Sequence, residues 1–242
     1  MKGSLVYAVI LSGGSGNRFG NDLPKQFAEV YGRTILDYCI TNFNNHTLVD
    51  KIIVVSNPEH IQRTKQIAST TKFKKIISIV EGGLTRGESS YIGLKEILNH
   101  ESNVDNIKVL IQDSVRPNTN SELIEKVVEK LDDHNAVTIA VPTTDTIYIA
   151  GENNYIQNIP DRNKLFKAQT PQGFNFNIIF PAYEKLEKVS RFKQTDDVGV
   201  VNMVFPDEDI VILEGDKKNI KVTFSEDLEF FRQVLQTKSS TN

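Results

Sequence analysis

Short apolar runs alternate with amphipathic stretches along the first part of the chain. The apolar runs predict buried strands at Leu5–Leu11, Lys51–Val55, Lys75–Val80, Lys108–Ile111 and Ala136–Val141. The stretches between them predict helices at Thr34–Phe43, from Asn57-Pro58 onwards, at Ser89–Leu98 and at Ser121–Leu131. Strands that alternate with helices are typical of parallel βαβ units. The pattern therefore predicts an α/β fold with a mostly parallel central sheet covered by helices on both faces.

The pattern changes after Pro142. Residues Thr144–Ile149 and Tyr155–Ile159 alternate between apolar and polar and flank Gly151-Glu152-Asn153-Asn154, whose composition is typical of a turn. This predicts a β-hairpin arm, residues 142–172, inserted into a single domain that spans residues 1–236 and ends in a polar tail, residues 237–242. The remaining predicted elements are helices at Asn175–Val189 and from Thr195 to about Met203, strands at Asp209–Leu213 and Ile220–Thr223, and a final helix from Ser225.

Composition narrows the class of protein. The chain has 242 residues, of which 39% are hydrophobic and 24% charged, so we expect a buried core. A net charge of -3 argues against a broad surface for nucleic acid. The single cysteine, Cys39, excludes an intramolecular disulfide and suits a reducing compartment. No apolar run approaches the roughly 20 residues that cross a bilayer. We therefore expect a cytoplasmic protein with neither nucleic-acid nor membrane partners.

A glycine-rich segment follows the first predicted strand. It reads Leu11-Ser12-Gly13-Gly14-Ser15-Gly16-Asn17-Arg18-Phe19-Gly20 and is followed by Leu23-Pro24-Lys25-Gln26. A P-loop is excluded because no Gly-Lys-Ser/Thr follows. A dinucleotide-binding turn needs a helix directly on the glycines, but Gly20 and Pro24 interrupt that region. The remaining interpretation is a loop whose backbone N–H groups wrap a triphosphate, with Arg18 and Lys25 supplying positive charge.

This loop resembles the signature of nucleotidyltransferases that couple a nucleoside triphosphate to a sugar or polyol phosphate. Residues 82–89 (GGLTRGES) and 113–117 (DSVRP) resemble two further segments of the cytidylyltransferases. Five shorter matches follow in the family's order: Asp145-Thr146, Pro160-Asp161-Arg162, residues 169–172, residues 195–197 and residues 219–223. The ordered set covers nearly the whole chain. The sequence thus resembles the family of ribitol-5-phosphate cytidylyltransferase and 2-C-methyl-D-erythritol 4-phosphate cytidylyltransferase.

The resemblance implies a three-layer, Rossmann-like nucleotidyltransferase fold with an inserted β-arm. It implies transfer of CMP from CTP to an alditol phosphate, with release of pyrophosphate. Segments 159–165 and 169–175 look closer to the ribitol branch, so D-ribitol 5-phosphate is the first acceptor expected, for teichoic acid or capsule synthesis. The alternatives are 2-C-methyl-D-erythritol 4-phosphate, for isoprenoid precursors, and a non-catalytic CTP-sensing protein.

The resemblance also assigns roles to residues. The expected catalytic residues are Arg18, Lys25 and Lys221. The expected nucleotide-binding residues are Leu11, Ser12, Gly13, Gly14, Gly16, Gly82, Arg86, Ser89, Asp113, Ser114 and Arg116. The expected acceptor-binding residues are Thr146, Arg162, Thr170, Thr195 and Lys221. The arm is expected to join a homodimer and to contribute Arg162 to the partner's site.

Asp113 is the expected ligand of Mg²⁺. It follows a predicted strand at the end where open α/β sheets bind ligands, and Mg²⁺ commonly takes one or two carboxylates together with phosphate oxygens. Simpler roles remain open at this point: a turn cap for Asp113, a helix N-cap for Ser89, a structural salt bridge for Arg116 and a surface position for Lys25. Asp216 is left out of the metal site.

Overall fold

The computed structural model of the protein describes residues 3–14, 24–69, 72–188 and 196–239. The strands are β1 (Leu5–Ser12), β2 (Glu29–Val30), β3 (Arg33–Thr34), β4 (Lys51–Ser56), β5 (Ile76–Glu81), β6 (Ile107–Asp113), β7 (Ala136–Pro142), β8 (Ile149–Ala150), β9 (Ile156–Asn158), β10 (Phe166–Asn175) and β11 (Ile210–Glu214). The helices are α1 (Ile35–Asn44), α2 (Ile61–Ala68), α3 (Arg86–His100), α4 (Ser121–Lys130), α5 (Phe176–Lys188), α6 (Asp197–Val204) and α7 (Ser225–Ser239).

One seven-stranded sheet organises the chain, in the order β11-β7-β10-β6-β1-β4-β5. Neighbouring strands run parallel except at β10, which is antiparallel to both β6 and β7. Helices cover both faces, and the predicted three-layer, mostly parallel α/β fold is confirmed. The βαβ alternation allowed this prediction, because each crossover helix returns the chain to the end of the sheet where the previous strand began. The next strand therefore runs parallel to it.

The two faces of β1 divide the core. Val6, Ala8 and Ile10 pack on one side with α1 and α4, whereas Tyr7, Val9 and Leu11 pack on the other with α3 and α5. A strand buried on both faces is a continuous apolar run, because successive side chains point to opposite faces and both are covered. The apolar run at Leu5–Leu11 is therefore a central strand.

Helix boundaries follow their capping residues. The side chain of Thr34 accepts a hydrogen bond from the Asp37 N–H at the start of α1, and Asn57 accepts one from the Glu59 N–H. The α3 helix begins at Arg86, earlier than the predicted Ser89. Thr85 is its N-cap, and Glu88 completes a capping box with it.

The structure corrects the predicted strand at Ile220–Thr223. This segment pairs with no strand within the described ranges. Val222 is buried, and its N–H donates to the carbonyl of Val115 in the loop after β6 (2.8 Å). Its buried residue, Val222, packs with Val30, Ile35 and Phe231 in a small cluster and not in the main sheet, so the apolar signal reflects this packing and not a strand.

β10 is a strand that the sequence pattern did not predict. It carries Gln169, Thr170, Pro171 and Gln172, so it lacks the apolar run of a buried strand. Its polar side chains are nevertheless buried. Residues 166–172, which the sequence assigns to the arm, lie in β10, and Phe166 to Gln169 and Gln172 pair with β7 in the main sheet.

The rest of the arm is a short antiparallel hairpin of β8 and β9. Many of its apolar side chains are exposed, including Tyr155, which is 76% exposed. Asn153 and Asn154 have positive φ angles, as expected for the asparagines of a tight turn. Within the four described ranges, no helix combines the length and the apolar character needed to cross a membrane.

Candidate active site

A cavity of about 330 Å³ lies at the carboxyl ends of β1 and β6. This volume is within the range of about 300–1,000 Å³ typical of small-molecule sites. The lining residues come from five separate segments: Leu11, Gly13, Gly14, Lys25, Gln26, Gly83, Leu84, Thr85, Arg86, Ser89, Asp113, Ser114, Val115 and Lys221. Ligands of open α/β sheets bind at this end of the strands.

The predicted glycine loop forms one wall. Gly13 and Gly14 line the cavity, and Ser12 lies buried beneath them. Lys25 lies on the same wall, in a short 3₁₀ turn that Phe27 anchors in the core. Of the residues predicted here, Gly16 and Arg18 lie outside the described ranges.

Gly82 and Ser89 lie close together beside the glycine loop, where a Cβ on Gly13 would be 3.5 Å from the Ser89 hydroxyl. The Ser89 hydroxyl donates to the carbonyl of Thr85 (3.0 Å) and accepts from the N–H of Gly83 (3.2 Å). Ser89 is therefore not the helix cap; it lies one turn inside α3, where it is buried. A Cβ on Gly82 would lie 2.7 Å from the Ser89 hydroxyl, so only glycine allows this close approach.

Asp113 is held by two cations at the floor of the cavity. The Arg86 Nε lies 3.1 Å from its Oδ1, and the Lys221 Nζ lies 2.8 Å from its Oδ2. Burial by itself raises the pKa of this carboxyl, but the nearby cations Arg86 and Lys221 outweigh burial and hold the pKa well below its usual range. Asp113 is therefore a carboxylate at neutral pH.

Arg86 also reaches a second carboxylate, which the sequence analysis did not assign to the site. Its Nη1 lies 2.7 Å from Oδ2 of Asp197, whose side chain is fully buried. Burial lowers the pKa of Arg86, but Asp197 and Asp113 outweigh burial and raise the pKa above its usual value. The guanidinium is thus a fixed cation between two carboxylates.

Tyr183 completes this network from α5. Its hydroxyl donates to Oδ1 of Asp197 (2.6 Å), and burial together with this carboxylate raises the pKa of Tyr183. Gln172 accepts from the N–H groups of Asp197 and Val198 (3.0 and 3.2 Å). Only the acidic pair Asp196-Asp197 signalled this role in the sequence, because the partners lie far away along the chain.

Arg116 lies behind the cavity and is not among its lining residues. Its guanidinium donates to the carbonyls of Asn219 (2.8 Å) and Ala168 (3.1 Å). Burial lowers the pKa of Arg116. The side chain thereby stabilises the segment that carries Lys221. It does not lie at the cavity surface, where it would contact a nucleotide.

The predicted acceptor residues are dispersed. The Thr170 hydroxyl, behind the floor, accepts from the N–H of Asp113 (3.1 Å). Thr146 and Arg162 lie on the exposed arm, where Arg162 donates to the carbonyl of Thr144 (3.3 Å). Neither lines the cavity of this chain. Thr195 lies outside the described ranges.

Asp113 is the one carboxylate among the lining residues of the cavity as described. In the described part of the chain, no three His, Cys, Asp or Glu side chains cluster in a way that would hold a metal ion. Asp216 accepts from Asn120 and from the N–H of Lys218, which is a loop-stabilising arrangement.

A glycine loop, two lysines and a carboxylate at the carboxyl end of a Rossmann-like sheet are the features expected of a nucleotidyltransferase. Residues 6–237 match the family model described as "IspD: 2-C-methyl-D-erythritol 4-phosphate cytidylyltransferase". The chain therefore belongs to this cytidylyltransferase family, as the sequence motifs predicted.

Relatives and solved structures agree on the family. The chain is 35% identical to 2-C-methyl-D-erythritol 4-phosphate cytidylyltransferase of Thermobifida fusca, over 96% of this chain and 94% of the relative. It is 34% identical to the bifunctional ribulose 5-phosphate reductase/CDP-ribitol pyrophosphorylase Bcs1 of Haemophilus influenzae, over 96% of this chain and 48% of that protein. The structure of 4-diphosphocytidyl-2C-methyl-D-erythritol synthase from Anaerococcus prevotii superposes with a TM-score of 0.80 at 31% identity, covering 96% of each chain.

The names of the relatives do not confirm the predicted closeness to the ribitol branch. Most of the similar proteins carry the methylerythritol name, including one from Clostridium botulinum at 35% identity over 94% of this chain and 96% of the relative. The ribitol name appears for Bcs1 at almost the same identity. The family is therefore shown, and the acceptor is a matter for proposal.

Proposed function

We propose that the protein transfers CMP from CTP to 2-C-methyl-D-erythritol 4-phosphate and releases pyrophosphate. The observation that carries this proposal is the convergence of Lys25, Lys221 and Asp113 on the glycine loop in one cavity. The methylerythritol acceptor is supported by the family match over residues 6–237 and by the names of most relatives.

The reaction is an in-line displacement. An oxygen of the acceptor phosphate bonds to the α-phosphorus of CTP, the bond from that phosphorus to the bridging oxygen breaks, and pyrophosphate leaves. Such a transfer needs little covalent chemistry from the protein, so catalysis consists of positioning and charge stabilisation. Lys25 and Lys221 supply positive charge from two sides of the cavity, and Arg18 is proposed as the third cation.

Cytosine recognition is proposed for Gly82 and Ser89. A hydroxyl has one donor and two acceptor sites. The Ser89 hydroxyl uses its donor on Thr85 and one acceptor site on the Gly83 N–H, which leaves one acceptor site for an amino group. Cytosine offers an amino group where uracil has a carbonyl oxygen, so this arrangement favours CTP over UTP.

The donor set fits Mg²⁺ in the form that Mg²⁺ usually takes at phosphates, with one carboxylate and the remaining ligands from phosphate and water. Asp113 would hold the ion. Mg²⁺ would neutralise charge on the triphosphate. Because each carboxylate oxygen has two acceptor sites, Asp113 can offer one while its ion pairs with Arg86 and Lys221 persist.

A homodimer is proposed to complete the acceptor side. Arg162 and Thr146 lie on an arm whose exposed apolar side chains are available for a second copy, and neither residue lines this chain's own cavity. A guanidinium contributed by the partner would bind the acceptor phosphate in bidentate fashion. Thr170 would support this side by fixing the backbone of Asp113.

D-ribitol 5-phosphate is the second candidate acceptor. It is favoured by the 34% identity to Bcs1, whose name includes a CDP-ribitol pyrophosphorylase, and by the segments 159–165 and 169–175. Both acceptors are short polyol phosphates, so the reaction is the same and only the pocket for the carbon chain differs.

One substrate panel tests the proposal. Pyrophosphate release is measured with CTP and Mg²⁺ and with each of the methylerythritol, ribitol, arabinitol, mannitol and glycerol phosphates, with UTP and ATP as nucleotide controls. We expect kcat/KM for methylerythritol phosphate to exceed every other value by about 100-fold or more. A preference for ribitol phosphate would replace the acceptor and keep the reaction. CTP binding without turnover on any acceptor would identify a CTP-sensing protein and overturn the enzymatic proposal.

A further inference from the structure

Two amide side chains hold three consecutive carbonyl groups at the end of β1. Gln26 is fully buried, and its Nε2 donates to the carbonyls of Ser12 (3.3 Å) and Gly14 (3.0 Å). The Nδ2 of Asn57, the residue after β4, donates to the carbonyl of Gly13 (3.4 Å). The Asn57 N–H also donates to the Ser12 carbonyl (3.2 Å). The carbonyls of Ser12, Gly13 and Gly14 therefore each have a hydrogen-bond partner.

These bonds determine where the N–H groups point. In a planar trans peptide, the C=O and the N–H point in opposite directions. The Ser12 carbonyl points towards β4, because its donor Asn57 continues that strand, so the Gly13 N–H points towards β6. In the sheet β1 lies between β4 and β6, and Asp113 at the end of β6 lines the cavity together with Ser114 and Val115. The Gly13 N–H therefore faces the same side as the proposed triphosphate.

The two glycines make it necessary to fix the orientation of these peptides. Gly13 and Gly14 have no side chain that favours one backbone orientation, and a Cβ on Gly14 would contact nothing within 4 Å. A peptide that flips would present its carbonyl oxygen, the negative end of its dipole, to an anion. Orientation of these peptides thus decides whether the loop attracts or repels phosphate.

We propose that Gln26 and Asn57 are positioning residues that hold the carbonyls of Ser12–Gly14 so that the N–H groups of Gly13 and Gly14, rather than carbonyls, are turned towards the polyphosphate of the nucleotide. Neither residue was assigned a role from its sequence. The inference rests on the proposed CTP site and adds to it the side chains that shape the anion-binding backbone.

Gln26→Met is the direct test. Methionine has a similar volume and no donor, so the Gly14 carbonyl loses its Gln26 partner and the Ser12 carbonyl keeps the Asn57 N–H, while the packing is kept. Titration calorimetry measures the Kd of CTP with Mg²⁺ and of inorganic triphosphate. We expect both Kd values to rise about 10-fold or more, since two hydrogen bonds that orient the anion site are lost.

Gln169→Met is the matched control. Gln169 is a comparably buried glutamine that donates to the carbonyl of Asp216 (2.8 Å) and accepts from its N–H (3.3 Å). It does not line the cavity. We expect its loss to lower the melting temperature and to leave the Kd of CTP within about twofold of the wild-type value.

Asn57→Ser is the second variant and remains informative if Gln26→Met does not fold. Serine keeps the helix-capping acceptor that Asn57 offers to the Glu59 N–H, but its hydroxyl is too short to reach the Gly13 carbonyl. We expect an unchanged melting temperature together with a Kd for CTP raised about threefold or more, a smaller effect because the lost bond is long.

A kinetic split separates positioning from general destabilisation. For both variants we expect KM for CTP to rise and KM for the acceptor to stay within about twofold, because the proposed acceptor residues Thr146 and Arg162 lie on the arm and not on this loop. Unchanged triphosphate and CTP affinities in folded Gln26→Met and Asn57→Ser would overturn the inference. If wild type binds triphosphate but not CTP, the proposed function fails, and the triphosphate data still decide the role of Gln26. If wild type binds neither, both proposals are wrong.

Discussion

Asp113, Arg86 and Lys221 show how single side chains acquire a role through their neighbours. An isolated buried carboxylate is unfavourable, yet here each of its oxygens contacts a cation. Lys221 is 43% exposed at its side chain, so its pairing with Asp113 contributes only modestly to stability. Its value lies in placing a positive charge beside the cavity.

Replacing Lys221 by Gln should therefore affect catalysis more than folding. We expect kcat to fall about 100-fold or more, because the variant loses a fixed positive charge that stabilises the negative charge developing on the phosphates in the transition state. The melting temperature should change by no more than a few degrees. Steady-state kinetics and thermal unfolding measure the two effects.

Lys217→Gln provides the comparison. Lys217 is exposed, lies four residues earlier and does not line the cavity. Its removal changes the net charge by the same amount and should leave kcat unchanged. Equal kinetic parameters for Lys221→Gln and wild type would remove Lys221 from the catalytic assignment.

At the scale of elements, close packing of α3 on the sheet places Arg86 and Ser89 at the cavity. Gly93 faces β1 and β4, and a Cβ there would lie 2.4 Å from Cγ1 of Val9 and 3.1 Å from Cγ2 of Val55. The absence of a side chain lets the helix approach the strands. The capping box at Thr85 then fixes where the helix begins.

Gly93→Ala should destabilise the protein although alanine is the better helix former. The gain in helix propensity is about 1 kcal/mol, whereas overpacking costs about 1–3 kcal/mol and displaces the helix. We expect a lower unfolding free energy in urea and a higher KM for CTP. Asn99→Ala, at an exposed position of the same helix, should not lower either stability or CTP affinity. A Gly93→Ala protein as stable as wild type would contradict this account of the packing.

Three helices meet at the buried Asp197. Arg86 comes from α3, Tyr183 from α5 and Asp197 itself from α6. Through this network Asp197 holds the guanidinium that contacts Asp113. Helix placement and site electrostatics are thereby coupled.

Tyr183→Phe removes one hydroxyl from this network. We expect a loss of about 1–3 kcal/mol in unfolding free energy, because a fully buried carboxylate oxygen loses its donor. Tyr91→Phe is the control: the Tyr91 ring stacks on Tyr183 (5.8 Å between centroids), and its hydroxyl bonds to Glu187, whose side chain is 52% exposed. Since water can replace that partner, the control should lose less. Equal losses measured by urea unfolding would show that Asp197 does not depend on Tyr183.

At the scale of the whole molecule, the arm carries apolar side chains that the rest of the domain leaves exposed. Six apolar side chains between residues 147 and 159 and that of Phe166 are exposed: Ile147, Tyr148, Ile149, Tyr155, Ile156 and Ile159. A patch of this kind marks an interaction surface. In the proposed homodimer, a second copy of the chain would cover it and bring Arg162 to the partner's cavity.

Ile156→Glu should separate the proposed dimer. The side chain is 58% exposed in the single chain, so a charge there is tolerated by the fold but not by an apolar interface. Light scattering coupled to size exclusion should give a monomer, with kcat/KM for the acceptor reduced about 100-fold or more because the partner's guanidinium is lost. Leu98→Glu on α3, at a side chain 42% exposed, should remain dimeric and active. A fully active monomer would exclude a contribution of Arg162 in trans.

Local pattern was sufficient for the parallel strands, most helices and the caps at Thr34 and Asn57, because these depend on neighbouring residues and on burial of one short run. The glycine loop, Lys25, Arg86, Ser89 and Asp113 were also predicted to share a site, and the cavity brings them together. The family resemblance supplied Lys221, which no local signal distinguishes from other lysines.

Tertiary structure alone decided the rest. β10 is polar in sequence and central in the sheet, since its buried Gln172 is satisfied by Thr138 and Asp196 from distant segments. Lys221 meets Asp113 across 108 residues, and Asp197 meets Arg86 across 111. The sequence by itself determined which apolar segments are buried and which segments carry the motifs for phosphate chemistry. The fold determined which charges meet, because a hydrogen bond or ion pair between distant residues exists only after the chain has brought them together.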